Sequence, residues 1–273
     1  TYNVLFSNSY LLVMKDISKA RVSLVGKLKH KKYRDANNLF VTEGLKCTGD
    51  TAKHISPQFV VIDKNSLEED KVRQFIDENE FDGSDIIVCA SSSDMKKMSC
   101  LSTPSAVIGI FRQPDHDIDQ NQIKTGLTLM LDGIQDPGNL GTIVRIADWF
   151  GIRQIICSPD TVDVYNAKAI MSTMGSLARV KVFYRSLPEF CEKYPDIPVC
   201  GLLLDGKNMY GETVPGNAFI VMGSEGHGLS GRMRSLVTKS LLIPSYPPGE
   251  THGESLNVAV ATAITLSYFR FGK

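Results

Sequence analysis

Six short apolar segments that alternate with helical patterns constrain the fold of this 273-residue chain more than any other feature. They occupy residues 127–131, 154–157, 180–183, 199–204, 219–222 and 241–243. Apolar runs of this length predict strands that are buried on both faces, and the helices between them would supply the crossover connections. The pattern therefore predicts an α/β fold with a parallel sheet that helices cover on both faces.

A turn and a helix with a regular apolar face follow the first of these strands. The turn contains Pro137 and Gly138, and the helix is predicted to begin near Asn139. Its apolar face comprises Leu140, Ile143, Val144, Ala147 and Phe150. Arg145 lies outside that face, and by composition alone it would be a solvated surface residue. The glycines here lack the Gly-x-Gly-x-x-Gly spacing of a dinucleotide site, which disfavours that function.

Residues 219–230 predict a short buried strand that runs into a glycine-rich loop. Gly223, Gly226 and Gly228 surround one carboxylate, Glu225, and glycines allow a backbone to approach a ligand closely. The segment lacks the Lys-Ser/Thr ending of a phosphate-binding loop. An ordinary strand-to-helix turn is the alternative interpretation of these glycines.

Residues 255–261 follow the last predicted strand and open a helix that is apolar on nearly every side. A helix without a polar face is predicted to be buried. Ser255 and Asn257 at its entry are residue types that commonly cap helices, so capping alone would explain both of them.

Taken in order, three motifs resemble the signatures of the SpoU/TrmH-type RNA 2′-O-methyltransferases of the SPOUT superfamily. They are Asp-Pro-x-Asn-x-Gly-x-x-x-Arg at 136–145, Gly-Ser-Glu-Gly-x-Gly-Leu-Ser at 223–230, and Ile-Pro followed by Ser-Leu-Asn-Val-x-Val-Ala ending at 261. The resemblance implies an α/β trefoil-knot methyltransferase domain that binds S-adenosyl-L-methionine in the knot. It also implies a homodimer with active sites at its interface, and transfer of a methyl group to a ribose 2′-hydroxyl of structured rRNA or tRNA.

The resemblance also implies roles for particular residues. Arg145 would engage an RNA phosphate and activate the hydroxyl, and Asn139 would position it. Glu225 and Asn257 would shape the site, and Ser255 would support Asn257 or the substrate. The implied cofactor-binding residues are Met222, Gly223, Ser224, Glu225, Gly226, Ile243, Pro244, Ser255, Leu256 and Asn257.

Two histidines are alternative candidates for the group that removes the proton, because histidine is the commonest general base. His227 occupies the variable position of the second motif, and His252 lies in a loop at 246–254 that is longer than the family's compact version. Both are interpreted as plain loop residues. No metal is expected, because the transfer does not need one.

The net charge of zero conceals a basic segment near the N-terminus. Between Lys15 and Lys53 there are ten Lys or Arg residues against four Asp or Glu residues. One-sided charge of this kind attracts polyanions, although a basic run is more often only a solvated surface. Tyr33 and Phe40 would add surfaces on which bases stack. The predicted RNA-binding residues are Lys27, Lys29, Lys31, Lys32, Arg34 and Glu43.

The same region resembles the substrate-binding domain of many SpoU/TrmH enzymes, which looks like small α/β ribosomal proteins that recognise kink-turns. Strands at 59–62, 86–89 and 106–111, with helices at 67–79 and near 48–54, are consistent with it. The polar stretch from 114 to 124 is predicted to be a linker. The resulting division is an extension of uncertain status at 1–14, an RNA-binding domain at 15–113, and a methyltransferase domain at 125–273.

Composition excludes some other classes of protein. No apolar run approaches the length of a membrane span. The six cysteines lack pairing or metal-ligand spacing, which predicts reduced thiols in a cytoplasmic protein. Two alternatives stay open: an RNA-binding module whose transferase domain is inactive, and a nucleotide-dependent enzyme with a flavodoxin-like fold. The sequence does not identify the RNA or the modified nucleotide.

Overall fold

A computed structural model describes residues 14–79, 81, 86–247, 250, 253 and 255–272. The chain divides after Pro114 into two compact units. The predicted extension before residue 14, His252 and parts of the loop at 246–254 lie outside the described residues. No described helix has the length and apolar character needed to cross a membrane.

The first unit is a mixed sheet with helices. Its strands are β1 (Lys15–Asp16), β2 (Leu39–Glu43), β3 (Pro57–Asp63), β4 (Ile87–Ala90) and β5 (Val107–Arg112). Its helices are α1 (Lys19–Lys27), α2 (Lys31–Asn37), α3 (Leu45–Ala52), α4 (Asp70–Asn79) and α5 (Ser92–Met98). The strand order is β1-β4-β3-β5-β2, and β5 runs antiparallel to both of its neighbours. The three predicted strands are confirmed.

Phe40 lies inside this unit and cannot stack on RNA. Every residue of β2 is buried, and the Phe40 ring stacks on Phe111 with centroids 5.5 Å apart. The expectation of an exposed stacking surface at Phe40 is therefore wrong. Although β2 lies at the edge of the sheet, all five of its residues are buried, so Phe40 is used for packing.

The second unit contains the predicted parallel sheet. Its strands are β6 (Leu127–Asp132), β7 (Gln154–Cys157), β8 (Lys181–Tyr184), β9 (Val199–Asn208), β10 (Ala218–Gly223) and β11 (Lys239–Leu242). Its helices are α6 (Gln120–Thr125), α7 (Pro137–Trp149), α8 (Ala167–Thr173), α9 (Leu187–Glu192), α10 (Gly231–Leu236) and α11 (Val258–Phe271). The order is β11-β9-β10-β6-β7-β8, and every pair is parallel.

The second half of the predicted linker forms α6. Asp119 caps this helix by accepting hydrogen bonds from the N–H groups of Asn121 and Gln122. Ile123 is fully buried in the apolar cluster that contains Met130 and Phe219. These contacts attach the segment to the second unit, so it is part of that unit's packing.

Strand order brings the first two motifs together. β6 and β10 are parallel neighbours, and Asp132 and Gly223 are paired at their carboxyl ends. The loops that follow both strands therefore leave the same edge of the sheet, which is where open α/β sheets bind ligands.

The last helix is only partly buried. Its buried residues are Val258, Ala259, Thr262, Thr265, Leu266 and Phe269. Val260 is 49% exposed and Phe271 is 75% exposed, so the expectation of burial on every side is wrong for the single chain. One face of α11 packs against α7 and β10. The opposite apolar face, which includes Val260 and Phe271, is exposed to solvent.

Candidate functional site

The N-termini of α7 and α11 fix two asparagines. Asp136 caps α7 by accepting a hydrogen bond from the backbone N–H of Asn139 at 2.8 Å. Lys168, together with that N–H group, holds the pKa of Asp136 below its usual range, so the cap stays ionised. Asn257 caps α11 through Oδ1, which accepts from the N–H groups of Ala259 and Val260 at 3.0 and 3.3 Å.

One residue from each motif meets the others in a closed set of hydrogen bonds. Asn257 Nδ2 donates to Asn139 Oδ1 at 3.0 Å and to Glu225 Oε1 at 3.2 Å. Asn139 Nδ2 donates to the same Glu225 oxygen. We call these residues the Asn139–Glu225–Asn257 triad. Asn257 is thus both a helix cap and a member of the site, because its Oδ1 accepts from the first N–H groups of α11 and its Nδ2 donates to Asn139 and Glu225.

A short loop that folds back on itself presents Glu225. Ser224 N–H donates to Gly228 O at 3.0 Å, and Gly228 N–H donates to Ser224 O at 2.8 Å. A Cβ atom at Gly223 would lie 2.2 Å from the carbonyl carbon of Gly228, so only glycine permits this closure. The second motif therefore requires glycine for close backbone packing.

A groove of about 540 Å³ lies beside this loop. Eight of the ten predicted cofactor-binding residues line it: Met222, Gly223, Ser224, Glu225, Gly226, Ile243, Ser255 and Leu256. Pro244 and Asn257 do not line it. Sequence reasoning missed the contribution of β9, which supplies Leu202, Leu203 and Leu204. Only the strand order, with β9 between β10 and β11, brings those leucines to the groove.

A second cavity, of about 480 Å³, lies against the same loop. Both cavities are lined by the loop residues 224–228 and by Val258. The rest of its lining includes the polar residues Asp132, Gln135, Asp136 and Asp160 together with Gly133, Ile134 and Ser230. Asp136 and residues 224–228 belong to the first two motifs, but sequence reasoning missed the contributions of Asp132, Gln135 and Asp160.

The structure does not bring Arg145 to the triad. Arg145 is exposed and lines neither cavity. Within the described part of the chain, its guanidinium has no hydrogen-bond or ion-pair partner. The face of α7 next to Arg145 is not entirely exposed, because Gly141 is buried against α8. A Cβ atom at Gly141 would lie 2.2 Å from Ala169 O.

The structure does not point to a function for His227 or His252. His227 is exposed and lines both cavities, and its backbone N–H donates to Ser224 Oγ at 3.2 Å. His252 is outside the described residues.

The predicted RNA-binding residues of the first unit fall into two groups. Lys27, Lys29, Lys31 and Lys32 are exposed, and the Lys27 and Lys32 ammonium groups lie 5.8 and 4.9 Å from the centre of the Tyr33 ring. Arg34 is buried, and its Nη1 donates to Leu28 O and Lys29 O, both at 2.9 Å.

Glu43 belongs to the second, buried group. Its carboxylate accepts from Ser99 Oγ and from Cys100 N–H, both at 2.6 Å. It therefore holds the loop after α5. The lysines of the first group are exposed to solvent, and Lys31 among them pairs with Asp35 at 2.7 Å.

Comparison with known proteins identifies relatives of both units. The SpoU rRNA Methylase family matches residues 126–267, and the MRM3-like substrate binding domain matches residues 19–109. The 23S rRNA (guanosine(2553)-2′-O)-methyltransferase RlmP of Bacillus subtilis is 29% identical over 94% of this chain and 100% of its own length.

Solved structures cover nearly the whole chain. A TrmH-family protein from Porphyromonas gingivalis is 32% identical, with a TM-score of 0.79 over 93% of this chain and 98% of that one. An AdoMet-bound rRNA methyltransferase from Sinorhizobium meliloti is 24% identical, with a TM-score of 0.74 over 94% and 96% of the two chains. The latter likeness shows a shared fold.

Proposed function

Because the chain belongs to the SpoU rRNA methylase family, we propose that it methylates a ribose 2′-hydroxyl of structured ribosomal or transfer RNA, using S-adenosylmethionine. The observation that carries this proposal is the convergence of Asn139, Glu225 and Asn257, from three distant segments, beside one groove. A metal has no role in the proposed reaction. Among the described residues, no group of three or more His, Cys, Asp or Glu side chains could hold one.

The groove fits the methyl donor chemically. Leu202, Met222 and Ile243 offer apolar surface for the adenine ring, and the glycine loop offers backbone polar groups to the rest of the molecule. S-adenosylmethionine supplies the reactive methyl group when bound, and the protein supplies position and electrostatics.

The triad would orient the nucleophile. A ribose hydroxyl reacts slowly unless it is held in line with the methyl group and loses its proton to an acceptor. Two amide donors hold one carboxylate oxygen of Glu225. The other oxygen has no donor among the described residues, and Glu225 lines both cavities. We assign Asn139 and Asn257 to positioning, and Ser255 to the rim of the groove.

Arg145 would complete the site of a second protomer. Trp149, four residues after Arg145 on α7, is 85% exposed, and Phe271 at the end of α11, which packs against α7, is 75% exposed. Such a patch is typical of a protein interface. A homodimer formed here would cover the open face of α11 and place Arg145 at the partner's site, where it would engage RNA phosphate. A trefoil knot in the second unit is part of the same proposal.

The first unit would recruit the RNA. Its exposed lysines beside Tyr33 provide charge for phosphates and one ring for stacking. We place the RNA-binding domain at residues 15–113 and the methyltransferase domain from α6 onward. The cytoplasmic location is proposed from the six free cysteines.

Methyl transfer to RNA tests the proposal directly. The purified chain is incubated with methyl-labelled S-adenosylmethionine and unmodified rRNA or tRNA transcripts. We expect label in RNA at linkages that resist alkali, because a methylated 2′-oxygen cannot attack the adjacent phosphate. Donor binding without transfer to either RNA would favour the alternative, an inactive RNA-binding module. Absence of donor binding would refute the methyltransferase assignment.

A further inference from the structure

The residue that caps α7 is itself held by a residue of another helix. Asp136 Oδ1 accepts from Asn139 N–H at 2.8 Å, and Asp136 Oδ2 accepts from Lys168 Nζ at 2.7 Å. Lys168 is the second residue of α8 and belongs to none of the three motifs. One carboxylate therefore joins the first turn of α8 to Asn139, a member of the triad.

The first turn of α8 is fixed in place against α7. Asn166 caps α8 by accepting a hydrogen bond from Lys168 N–H at 2.9 Å. A Cβ atom at Gly141 would lie 2.2 Å from Ala169 O, so the backbones of the two helices are in contact one residue after Lys168. The backbone of Lys168 consequently has a set position relative to the N-terminus of α7.

Gly138 leaves room for the Lys168 side chain. A Cβ atom at Gly138 would lie 3.1 Å from Lys168 Cε and 2.8 Å from Asp136 Oδ1. Any larger residue would force the carboxylate or the lysine stem to shift, because glycine alone allows so close an approach. Gly138 occupies the variable position of the first motif, Asp-Pro-x-Asn, so the motif did not indicate this contact.

We propose that Lys168 is a positioning residue for methyl transfer, and that it acts through Asp136 to set the orientation of Asn139 in the triad. The proposal rests on the methyltransferase function proposed above. The path is continuous, since Lys168 bonds to Asp136, Asp136 to Asn139, and Asn139 to Glu225. Asp136 uses a different oxygen for each of its two partners, so its carboxylate cannot rotate without losing one of them.

The ion pair matters for orientation more than for stability. The Lys168 and Asp136 side chains are 62% and 41% exposed, and ion pairs as exposed as this one contribute little to the free energy of unfolding. A small displacement of an orienting group, in contrast, slows a reaction that requires its atoms in line. Loss of Lys168 should therefore slow methyl transfer and leave the fold intact.

The geometry favours this role over a direct contact with RNA. Lys168 Nζ already donates to a carboxylate of the protein, and Lys168 lines neither cavity. A lysine that binds phosphate would act on RNA affinity and on its salt dependence. A positioning residue acts on kcat, so kinetics distinguish the two roles.

The first experiment separates kcat from KM. Methyl transfer from labelled S-adenosylmethionine to unmodified rRNA and tRNA transcripts is measured for Lys168→Met, which removes the ammonium group, and for Lys168→Arg, which keeps the charge. Lys168→Met should lower kcat about 5- to 20-fold, because the Asp136 carboxylate is then free to rotate. KM for RNA, donor binding and melting temperature should be unchanged, and Lys168→Arg should recover most of kcat. Lys193→Met, which changes an exposed lysine of the same unit outside both cavities, is the matched control and should behave as wild type.

The second experiment tests the path through Asp136 with a double-mutant cycle. Asparagine caps helices about as well as aspartate, so α7 should keep its N-terminus in Asp136→Asn. The amide Nδ2 is a donor, however, and cannot accept from the Lys168 ammonium group. If Lys168 acts through Asp136, adding Lys168→Met to Asp136→Asn should lower kcat by less than about twofold further.

Three outcomes would overturn the positioning role and leave the methyltransferase function intact. They are a normal kcat in Lys168→Met, a change confined to KM for RNA with a smaller salt slope, and fully additive losses in the double variant. Absence of methyl transfer by the wild-type chain would refute the positioning role together with the proposed function.

Discussion

The triad and the lysines of α1 and α2 use polar side chains in opposite ways. Asn139, Glu225 and Asn257 bond to one another, so each side chain is held by the other two. Lys27 and Lys29 are exposed to solvent, and their charge is available to any polyanion. Preorganised groups act on one reacting atom, whereas exposed charges act through long-range attraction that salt screens. Substitutions in the two regions should therefore fail in different ways.

The largest effect is expected from breaking the triad. Glu225→Gln and Asn139→Ala should each lower kcat on the order of a hundred- to a thousandfold, because each removes an orienting group from the reacting centre. The double variant should be little worse than the worse single variant, since the residues act as one unit. Steady-state methyl transfer to RNA measures both. Asp196→Asn, which changes an exposed carboxylate of the same unit outside both cavities, is the control and should keep normal rates. Additive losses would contradict a mutually supported triad.

Arg145 should give the next largest effect. Arg145→Ala should lower methyl transfer on the order of a hundredfold and leave the melting temperature unchanged, because the side chain is exposed. Arg145→Lys should rescue poorly, since lysine lacks the planar fork of donors. Near-normal transfer by the alanine variant would remove Arg145 from the mechanism and restore His227 as a candidate base.

Mixing two inactive variants tests whether Arg145 acts on the partner's site. If it does, a heterodimer of Arg145→Ala and Glu225→Gln chains contains one intact site, and random pairing restores about a quarter of the sites. No recovery after subunit exchange would show that Arg145 serves its own chain.

The lysines of the first unit should affect RNA affinity alone. Replacing Lys27, Lys29, Lys31 and Lys32 together by alanine should raise KM for RNA by about tenfold or more and leave kcat unchanged at saturating RNA. The slope of log affinity against log salt should fall by about one for each phosphate that the variant no longer neutralises. Binding titrations at several salt concentrations measure this. Lys71→Ala, an exposed lysine of α4, is the control, and a large kcat defect would contradict the division of roles.

Periodicity and motif order predicted most of the second unit, because both reflect local physical rules. Alternation of apolar strands with helices predicted the parallel sheet, and the carboxyl ends of β6 and β10 brought two motifs together. Residue type predicted less in the first unit. Arg34 lies in the basic segment and Glu43 in the region that resembles the substrate-binding domain, but each bonds to backbone groups inside its own unit. Charge alone does not distinguish a buried polar anchor from an exposed contact.

The sequence also did not predict ion pairs and cavities formed by residues that lie far apart in the chain. The ion pair between Asp148 and Arg179 joins α7 to the segment after α8, with Arg179 Nη2 at 2.6 Å from Asp148 Oδ2. The second cavity, of about 480 Å³, has the same origin, because residues after β6 and β7 and the glycine loop line it together. Neither arrangement lies within one helix or one strand, so periodicity carries no signal for it.

A smaller effect, on stability, is expected at Asp148. Burial raises its pKa, but hydrogen bonds from Arg179 and Ser176 and the charge of Arg153 outweigh burial and hold the pKa below its usual range. Asp148→Asn should lower the free energy of unfolding by about 1–3 kcal/mol at neutral pH.

The pH dependence of that effect has a definite sign. A carboxyl whose folded pKa is lowered stabilises the fold above its unfolded pKa, and the stabilisation is lost as pH falls through the folded pKa. The difference between wild type and Asp148→Asn should stay constant at neutral pH and shrink below about pH 4. Denaturant unfolding across that range measures it, and a difference that grows in acid would refute the ion-pair explanation.

The smallest effect is expected from reductants and chelators. Five of the six cysteines are buried, and burial raises the pKa of both Cys191 and Cys200 to about 11. Because the thiolate is the form that forms disulfides and binds metals, these thiols should stay reduced and unligated. Dithiothreitol or EDTA should therefore shift the melting temperature by less than about 1 °C, as expected of a fold held by neither a disulfide nor a metal. Differential scanning fluorimetry measures the shift. A fall of several degrees with either reagent would mean that a covalent or metal cross-link contributes to the stability of the chain beside the packing of its apolar clusters.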